Sequence, residues 1–192
     1  AADASIRAGK WDKKAFTGVE LQDKVLCVIG LGRIGRVLAE KAQGIGMRVI
    51  AHDPYVAPEH APHGVELRPL EQGLAEADFV SLHLPLTAET KNLLNGERLR
   101  AMKPGARLIC AARGGMIDEV ALAACLEEGH LAGAALDVFE DEPLPENSPL
   151  RSAPNTVFTP HLGASTQEAK KKVGVSMAEQ IALCLRKGVA LN

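Results

Sequence analysis

Residues 25–42 read VLCVIGLGRIGRVLAEKA, and this stretch decides the fold. Five mainly apolar residues lead into a GxGxxG pattern made by Gly30, Gly32 and Gly35, and a helical pattern follows it. A second apolar stretch ends in Asp53, about 20 residues beyond the glycines, the spacing typical of a dinucleotide site. This order of strand, glycine turn, helix, strand and acid predicts a nucleotide-binding unit rather than a plain tight turn.

Each part of the motif has a separate task. Gly30 permits the turn, Gly32 lets the backbone approach a pyrophosphate, and Gly35 lets the helix pack closely on the strand. The helix N-terminus offers unpaired N–H groups and a partial positive charge to the phosphates. Asp53 can accept hydrogen bonds from the adenosine ribose, and its charge would repel a 2′-phosphate. We therefore expect NAD rather than NADP as the cofactor.

The rest of the chain alternates between strand-like and helical patterns. The strand-like runs are rich in Val, Ile and Leu and often apolar on both faces, as a covered parallel sheet requires. In the helix predicted for residues 33–45, five apolar residues form one stripe. These patterns predict an α/β fold with a doubly wound, mainly parallel sheet, which is a Rossmann NAD-binding domain. The strand-like runs are 24–30, 47–53, 65–69, 78–84, 106–112, 132–138 and 156–161, and the stripe is Ile34, Val37, Leu38, Ala42 and Ile45.

Two later helices have recognisable boundaries. Asp118 is placed to cap a helix that ends at Gly129. Ser165 and Glu168 form a capping box that predicts the start of a long final helix. That helix carries apolar residues four apart, namely Val173, Met177, Ile181 and Leu185.

The composition of the 192 residues excludes several classes of protein. A net charge of −2 gives no basic face for nucleic acid or an anionic membrane. The apolar runs are too short to span a bilayer, and we expect no bound metal. The four cysteines, Cys27, Cys110, Cys125 and Cys184, have no CxxC spacing. We interpret them as reduced, buried thiols of a cytoplasmic protein.

Three polar residues follow later predicted strands and are candidates for catalysis: Arg113, Glu142 and His161. An Arg can bind a substrate carboxylate with two hydrogen bonds, and a His can move a hydroxyl proton near neutral pH. A carboxylate beside the His would orient its ring. Together they suit hydride transfer between NAD and a 2-hydroxy acid. Taken singly, Arg113 could instead be a salt-bridge residue, Glu142 a loop acid and His161 a helix-start residue.

The chain resembles the D-isomer-specific 2-hydroxyacid dehydrogenases over essentially its whole length. The resemblance is carried by GLGRIG, HDP, LPLTAETKNLLN, MKPGARLICAARGG, IDEVAL, GAALDVFEDEP and PHLGAST, in that order. It implies that Arg113 binds the substrate carboxylate, His161 is the acid/base and Glu142 is its partner. It also implies the set of residues that line the NAD site. They are Gly30, Gly32, Arg33, Ile34, Gly35, Asp53, Leu84, Pro85, Ala111, Ala112, Arg113, Asp137, His161, Gly163 and Ala164.

Within that family, PHLGAST and ARGGMIDE look most like the members that oxidise 3-phosphoglycerate to 3-phosphohydroxypyruvate in serine biosynthesis. A glyoxylate/hydroxypyruvate reductase is the alternative enzyme. An NAD-sensing protein similar to the C-terminal-binding-protein corepressors is the alternative from another class, because those proteins keep a similar triad. Formate dehydrogenases usually place Gln where Glu142 stands, which counts against that reading.

Two positions depart from the family pattern. Leu84 stands where relatives often carry Thr, which puts a side-chain contact to the cofactor in doubt. Cys110 stands where Asn is common, which puts a hydrogen bond next to Arg113 in doubt.

The resemblance also implies a division of the chain. Residues 1–20 would form an arm that contacts a second subunit of a homodimer, and residues 21–192 the dinucleotide-binding domain. We expect the family's substrate domain to lie outside this sequence, with a small 2-hydroxy acid as the substrate. Trp11 and Phe16 of the arm could equally cover their own domain.

Overall fold

A computed structural model describes residues 2–188. Seven strands in this range form a single sheet. All neighbouring strands are parallel, and their order is β3-β2-β1-β4-β5-β6-β7. The predicted Rossmann fold is confirmed, and each strand lies within its predicted run. The strands are β1 (Val25–Ile29), β2 (Arg48–His52), β3 (Glu66–Leu67), β4 (Phe79–Leu82), β5 (Arg107–Cys110), β6 (Gly133–Leu136) and β7 (Thr156–Phe158). The helices are α1 (Ala2–Arg7), α2 (Arg33–Gly44), α3 (Leu70–Glu76), α4 (Gly96–Ala101), α5 (Glu119–Glu127) and α6 (Gln167–Lys187).

The strand order reverses beside β1, and the candidate ligand-binding crevice lies at this reversal. The chain leaves β1 towards β2 and β3 on one side, and then crosses to β4 on the other side. In the register, Ile29 at the end of β1 pairs with His52 of β2 and with Leu82 of β4. The carboxyl ends of these strands are therefore level, and they flank the crevice where open α/β sheets bind ligands.

Successive residues of β1 point into two separate cores. Cys27 and Ile29 belong to the larger core, which α3, α4 and α5 cover. Leu26 and Val28 belong to the smaller core beneath α2. Burial on both faces explains why β1 is apolar throughout rather than alternating.

Helix α2 buries only part of the apolar stripe predicted for it, because Ala42 is buried and Leu38 is half-buried. Ile34 is 71% exposed and Val37 is 49% exposed, whereas the buried residues are Gly35, Ala39 and Ala42. The small residues form the buried face because the helix lies very close to the glycine loop. A longer side chain there would hold the helix away from the loop. Ile45, at the end of the predicted stripe, is also exposed.

The boundary of α6 also differs from its prediction. The N-cap is Thr166, whose hydroxyl accepts from Ala169 N at 3.1 Å, and not Ser165. Ser165 instead donates its own N–H to Leu162 O at 2.8 Å, within the turn that precedes the helix. At α5 the predicted cap is confirmed, because the Asp118 side chain accepts from Ala121 N at 2.9 Å.

Two segments pack little against the sheet. None of residues 2–23 is buried, and the two aromatic residues of the arm are exposed, Trp11 by 78% and Phe16 by 41%. Helix α6 has no buried residue either, and its Cys184 is exposed while the other three cysteines are buried. Ala1 and residues 189–192, which fall within the predicted arm and domain, lie outside the described residues.

The side of the sheet that faces α2 is open over its other half. Ile109, Ala135 and Val157 line a surface depression there, and Val157 is 64% exposed. Within residues 2–188, no helix covers this face of these strands. None of the helices in this part of the chain is long and apolar enough to span a membrane.

Candidate functional site

The glycine loop joins β1 to α2 at the carboxyl edge of the sheet. Gly30 has φ +98°, a conformation that favours glycine, and a Cβ there would lie 2.7 Å from His83 O. A Cβ on Gly35 would lie only 1.9 Å from Gly30 O, so this position admits only glycine without a shift of the helix. Gly32 is the N-cap and faces open space, with no side chain bonded to the first amides of α2. The loop therefore has the form that suits a pyrophosphate, with free N–H groups and room for a ligand.

Asp53 follows β2 and lies against this loop. Its Oδ2 accepts from Leu31 N at 2.8 Å, and its Oδ1 accepts from Tyr55 N at 3.0 Å. A carboxylate has about four acceptor sites, so capacity remains for a ribose hydroxyl. The residues present thus fit an NAD adenosine, with Arg33 and Ile34 on the exposed first turn of α2 beside it.

The turn after β4 forms the neighbouring wall. The Leu84 side chain packs beside the glycine loop, since its Cδ2 would lie 2.8 Å from a Cβ on Gly30. Pro85 O accepts from Thr90 Oγ1 at 2.7 Å, which fixes the turn. At this position the chain presents an apolar surface where the family pattern predicts a hydroxyl.

The loop after β5 carries Ala111, Ala112 and Arg113. The Arg113 Nη1 donates to Ala112 O at 2.6 Å, and within residues 2–188 the guanidinium makes no ion pair. Behind it, the buried Cys110 thiol lies 3.6 Å from Arg113 O and donates weakly to it. A hydrogen bond is therefore present next to Arg113, although Cys110 stands where Asn is common in the family. Its donor is the Cys110 thiol. Burial raises the pKa of Cys110, so the thiol stays protonated.

His161 and Glu142 form a hydrogen-bonded pair at the end of β7. His161 Nδ1 lies 2.8 Å from Glu142 Oε2, and Glu142 Oε1 accepts from Phe139 N at 3.2 Å. The hydrogen bond from His161, followed by the one from Phe139 N, lowers the pKa of Glu142. Because an ionised carboxylate only accepts, Nδ1 carries a proton and Nε2 is left as the free nitrogen of the neutral ring.

Asp137 follows β6 and lies at the centre of the loop that carries His161. Its carboxylate accepts from the Thr159 hydroxyl, from Leu162 N at 2.8 Å and from Gly163 N at 2.8 Å. Asp137 O also accepts from His161 N at 2.9 Å. Ala164, next in this loop, has φ +63°.

The predicted site residues therefore all follow the carboxyl ends of strands, at the single edge that a parallel sheet gives them. Two positions that sequence reasoning missed help to arrange them. A Cβ on Gly114 would lie 1.7 Å from Phe139 O, so the Arg113 loop rests directly on the loop that carries Glu142. Thr159 binds Asp137. The two consecutive glycines after Arg113 were a sequence signal for the role of Gly114. No sequence signal pointed to the role of Thr159.

Comparison with known proteins agrees with this geometry. Residues 1–163 match the family described as "D-isomer specific 2-hydroxyacid dehydrogenase, NAD binding domain". The chain belongs to this family. The family predicted from the sequence motifs is thus confirmed, and the chain is the NAD-binding domain that this family describes.

Its relatives among curated proteins include D-3-phosphoglycerate dehydrogenases. D-3-phosphoglycerate dehydrogenase 2, chloroplastic, of Arabidopsis thaliana is 50% identical over 186 residues, which is 96% of this chain and 30% of that protein. The D-3-phosphoglycerate dehydrogenase of Methanocaldococcus jannaschii is 47% identical over 100% of this chain and 37% of its own length. The chain thus spans about a third of the length of these curated relatives.

Solved structures of dehydrogenases and reductases share the fold. A glyoxylate reductase from Paecilomyes thermophila superposes with a TM-score of 0.91 at 34% identity, covering 99% of this chain and 58% of that one. D-lactate dehydrogenase from Aquifex aeolicus, complexed with NAD and lactic acid, superposes with a TM-score of 0.87 at 28% identity, covering 96% and 60%.

Proposed function

We propose that the protein is the cofactor-binding part of an NAD-dependent dehydrogenase that oxidises 3-phosphoglycerate to 3-phosphohydroxypyruvate. The observation that carries this proposal is the His161–Glu142 hydrogen bond of 2.8 Å at the carboxyl edge of the sheet, where Arg113 also lies. The identity of about half to relatives named D-3-phosphoglycerate dehydrogenase supports the choice of substrate.

In this proposal, residues at the carboxyl edge from β2 to β7 would hold the cofactor. The free amides at the start of α2 bind its pyrophosphate, and Asp53 binds the adenosine ribose. When bound, NAD would supply the acceptor for the hydride from the 2-carbon of the substrate. The remaining predicted residues would line the NAD site, and they are Arg33, Ile34, Leu84, Pro85, Ala111, Ala112, Asp137, Gly163 and Ala164.

The side chains of the site then divide the work of oxidation. Arg113 exchanges its bond to Ala112 O for the substrate carboxylate, which it can bind with two parallel N–H donors. The free Nε2 of His161 takes the hydroxyl proton as the hydride leaves. Glu142 stabilises the imidazolium that results, since its carboxylate already faces Nδ1. In reduction the same groups act in reverse.

The test is a substitution at His161 in the full-length protein. Since acid–base catalysis contributes about 10²–10⁴-fold, His161→Ala should lower kcat with 3-phosphoglycerate by an amount in that range. NAD affinity should change far less, because the glycine loop and Asp53 carry most of the binding. NADH formation and calorimetric titration with NAD measure the two quantities. A loss in kcat of less than a few-fold would remove His161 as the proton carrier.

A second candidate is reduction of glyoxylate or hydroxypyruvate. It is favoured by the close superposition on the glyoxylate reductase from Paecilomyes thermophila. The full-length protein distinguishes the two candidates through the ratio of kcat/KM for 3-phosphoglycerate oxidation to that for glyoxylate reduction. A ratio that favours glyoxylate would replace the first candidate by the second.

We also infer that the protein is a homodimer whose arm, residues 1–20, contacts a second subunit. The arm supports this, because its aromatic side chains are exposed, Trp11 by 78% and Phe16 by 41%. Trp11→Ala combined with Phe16→Ala should weaken the dimer in the full-length protein, as measured by light scattering at graded concentrations. An unchanged dissociation constant would place the interface elsewhere.

A reducing, cytoplasmic type of compartment is the setting that we infer for it. The four cysteines, all free and three of them buried, support that setting. Burial raises the pKa of Cys27 to about 12, so this thiol is inert towards oxidation. Thiol titration of protein isolated without reductant should find all four cysteines reduced.

A further inference from the structure

One buried carboxylate holds the loop that carries His161. Asp137 is 9% exposed, and its two oxygens accept three hydrogen bonds from residues 159–163. The donors are the hydroxyl of Thr159 and the N–H groups of Leu162 and Gly163, so they lie on both sides of His161. Residues 159–163 therefore surround the carboxylate of Asp137.

The loop needs such an anchor because His161 has a strained backbone. Its φ is +52°, a left-handed conformation that residues with a side chain seldom adopt. His161 N also donates to Asp137 O at 2.9 Å, so the backbone of Asp137 holds the same residue that its side chain encircles. Without these bonds the loop would relax, and the imidazole would move with it.

We propose that Asp137 is a positioning residue, which holds His161 in line for proton transfer by anchoring residues 159–163. This proposal rests on the proposed function, in which His161 carries the proton. It gives Asp137 a role that differs from lining the NAD site, since the three bonds already join it to the loop.

The anchor depends on the negative charge of Asp137. Burial raises the pKa of this carboxyl, but the hydrogen bonds from Thr159, Leu162 and Gly163 lower it, and the pKa lies below its usual value. An ionised carboxylate only accepts, and all three partners donate. In Asp137→Asn, one oxygen becomes an NH₂ group that must face a donor, so at least one bond is lost and replaced by a repulsive contact.

The first measurement is hydrogen exchange in the full-length protein, which needs no turnover. In Asp137→Asn the amides of Leu162 and Gly163 should exchange more than tenfold faster, because exchange follows the opening of the bond that protects them. Asp141→Asn is the matched control, since it removes the same charge from an exposed position four residues further along the same loop. Unchanged exchange in Asp137→Asn would overturn the anchor, whatever the protein's activity.

The second measurement tests whether the anchor acts through His161. A displacement of a catalytic group by about 1 Å can cost about 10²-fold, so Asp137→Asn should lower kcat by that order while KM for the substrate changes little. In the His161→Ala background the same substitution should lower kcat by less than about twofold, because residues that act as a unit are not additive. An equal loss in both backgrounds would show a role independent of His161.

A milder pair of variants serves if Asp137→Asn does not fold. Thr159→Val removes one of the three bonds and keeps the charge, and Thr159→Ser keeps the hydroxyl. The proposal expects a lower kcat and faster loop exchange in Thr159→Val, with both restored in Thr159→Ser. Equal behaviour of the two variants would contradict it. Absence of dehydrogenase activity in the unmodified full-length protein would instead contradict the proposed function, and would leave the exchange results to decide on the anchor.

Discussion

At Asp53 a single carboxylate contacts both the glycine loop and the place where a ribose would bind. Its bonds to Leu31 N and Tyr55 N fix the carboxylate on the loop. A 2′-phosphate on the ribose would therefore meet a negative charge that cannot turn away without breaking both bonds. Charge and position together favour NAD over NADP at this residue.

Removing this charge should change the choice of cofactor. In Asp53→Ala, we expect the ratio of NAD to NADP affinity to fall by about tenfold, because a repulsion between like charges disappears. Asp53→Asn is the matched variant, since it keeps an acceptor for Leu31 N while removing the charge. Calorimetric titration with both nucleotides measures the ratio. Equal affinities in the unmodified chain would contradict the role of Asp53.

The carboxyl of Asp137 should also make stability depend on pH. Its pKa is lowered in the folded state, so its contribution is present above the unfolded pKa of about 3.9 and is lost as pH falls through the lower folded value. At pH 7 we expect Asp137→Asn to be about 1–3 kcal/mol less stable than the unmodified chain. Below about pH 4 the difference should shrink, because protonated Asp resembles Asn. Urea unfolding at several pH values measures it, and a constant difference would contradict the ionised anchor.

Helix α2 shows how an element is placed by its smallest residues. Gly35, Ala39 and Ala42 form its buried face, while larger apolar residues remain exposed. This close packing brings the free amides of the first turn to the edge of β1. In the proposed function, the residues that attach the helix to the sheet also position it for the phosphates.

Two glycines of this one helix should respond oppositely to substitution. A Cβ at Gly35 would lie 1.9 Å from Gly30 O, whereas a Cβ at Gly44 would meet nothing within 4 Å. Gly35→Ala should destabilise the chain by about 1–3 kcal/mol and weaken NAD binding, because the helix must move. Gly44→Ala should be neutral or stabilising by up to about 1 kcal/mol, since Ala favours the helix. Urea unfolding and NAD titration decide, and similar effects of the two variants would contradict the close approach.

Across the whole molecule, the site lies on an open edge. The side chain of His161 is 46% exposed and that of Glu142 is 38% exposed, so water reaches both. An ion pair in such a setting is worth only about 0–1 kcal/mol, which limits how well Arg113 could hold a substrate carboxylate. The edge thus presents reactive groups without excluding solvent.

The 192-residue chain should therefore bind NAD but have negligible dehydrogenase activity by itself. In the proposed function the glycine loop and Asp53 bind the adenosine half, while hydride transfer needs a substrate that is held in line and kept from water. NADH production from 3-phosphoglycerate, compared with the full-length protein at equal concentration, is the measurement. Comparable rates would show that this edge suffices alone.

Much of this protein can be predicted from its sequence, because the deciding signals are local. The apolar runs, the glycine spacing and Asp53 predict the strands, the turn and the parallel sheet, and the cap at Asp118 depends only on residues nearby in the chain. Parallel strands bring their carboxyl ends to one edge, so Arg113, Glu142 and His161 could be expected there as well.

Only the tertiary structure decides contacts between residues distant in the chain. The buried face of α2 depends on how closely the glycine loop lies beneath it, which hydrophobicity alone does not predict. The hydrogen bonds of Asp137 to Thr159, Leu162 and Gly163 join residues more than 20 positions apart. Such hydrogen bonds form because each buried polar group needs a partner. The sequence around the group does not indicate which residue that partner is.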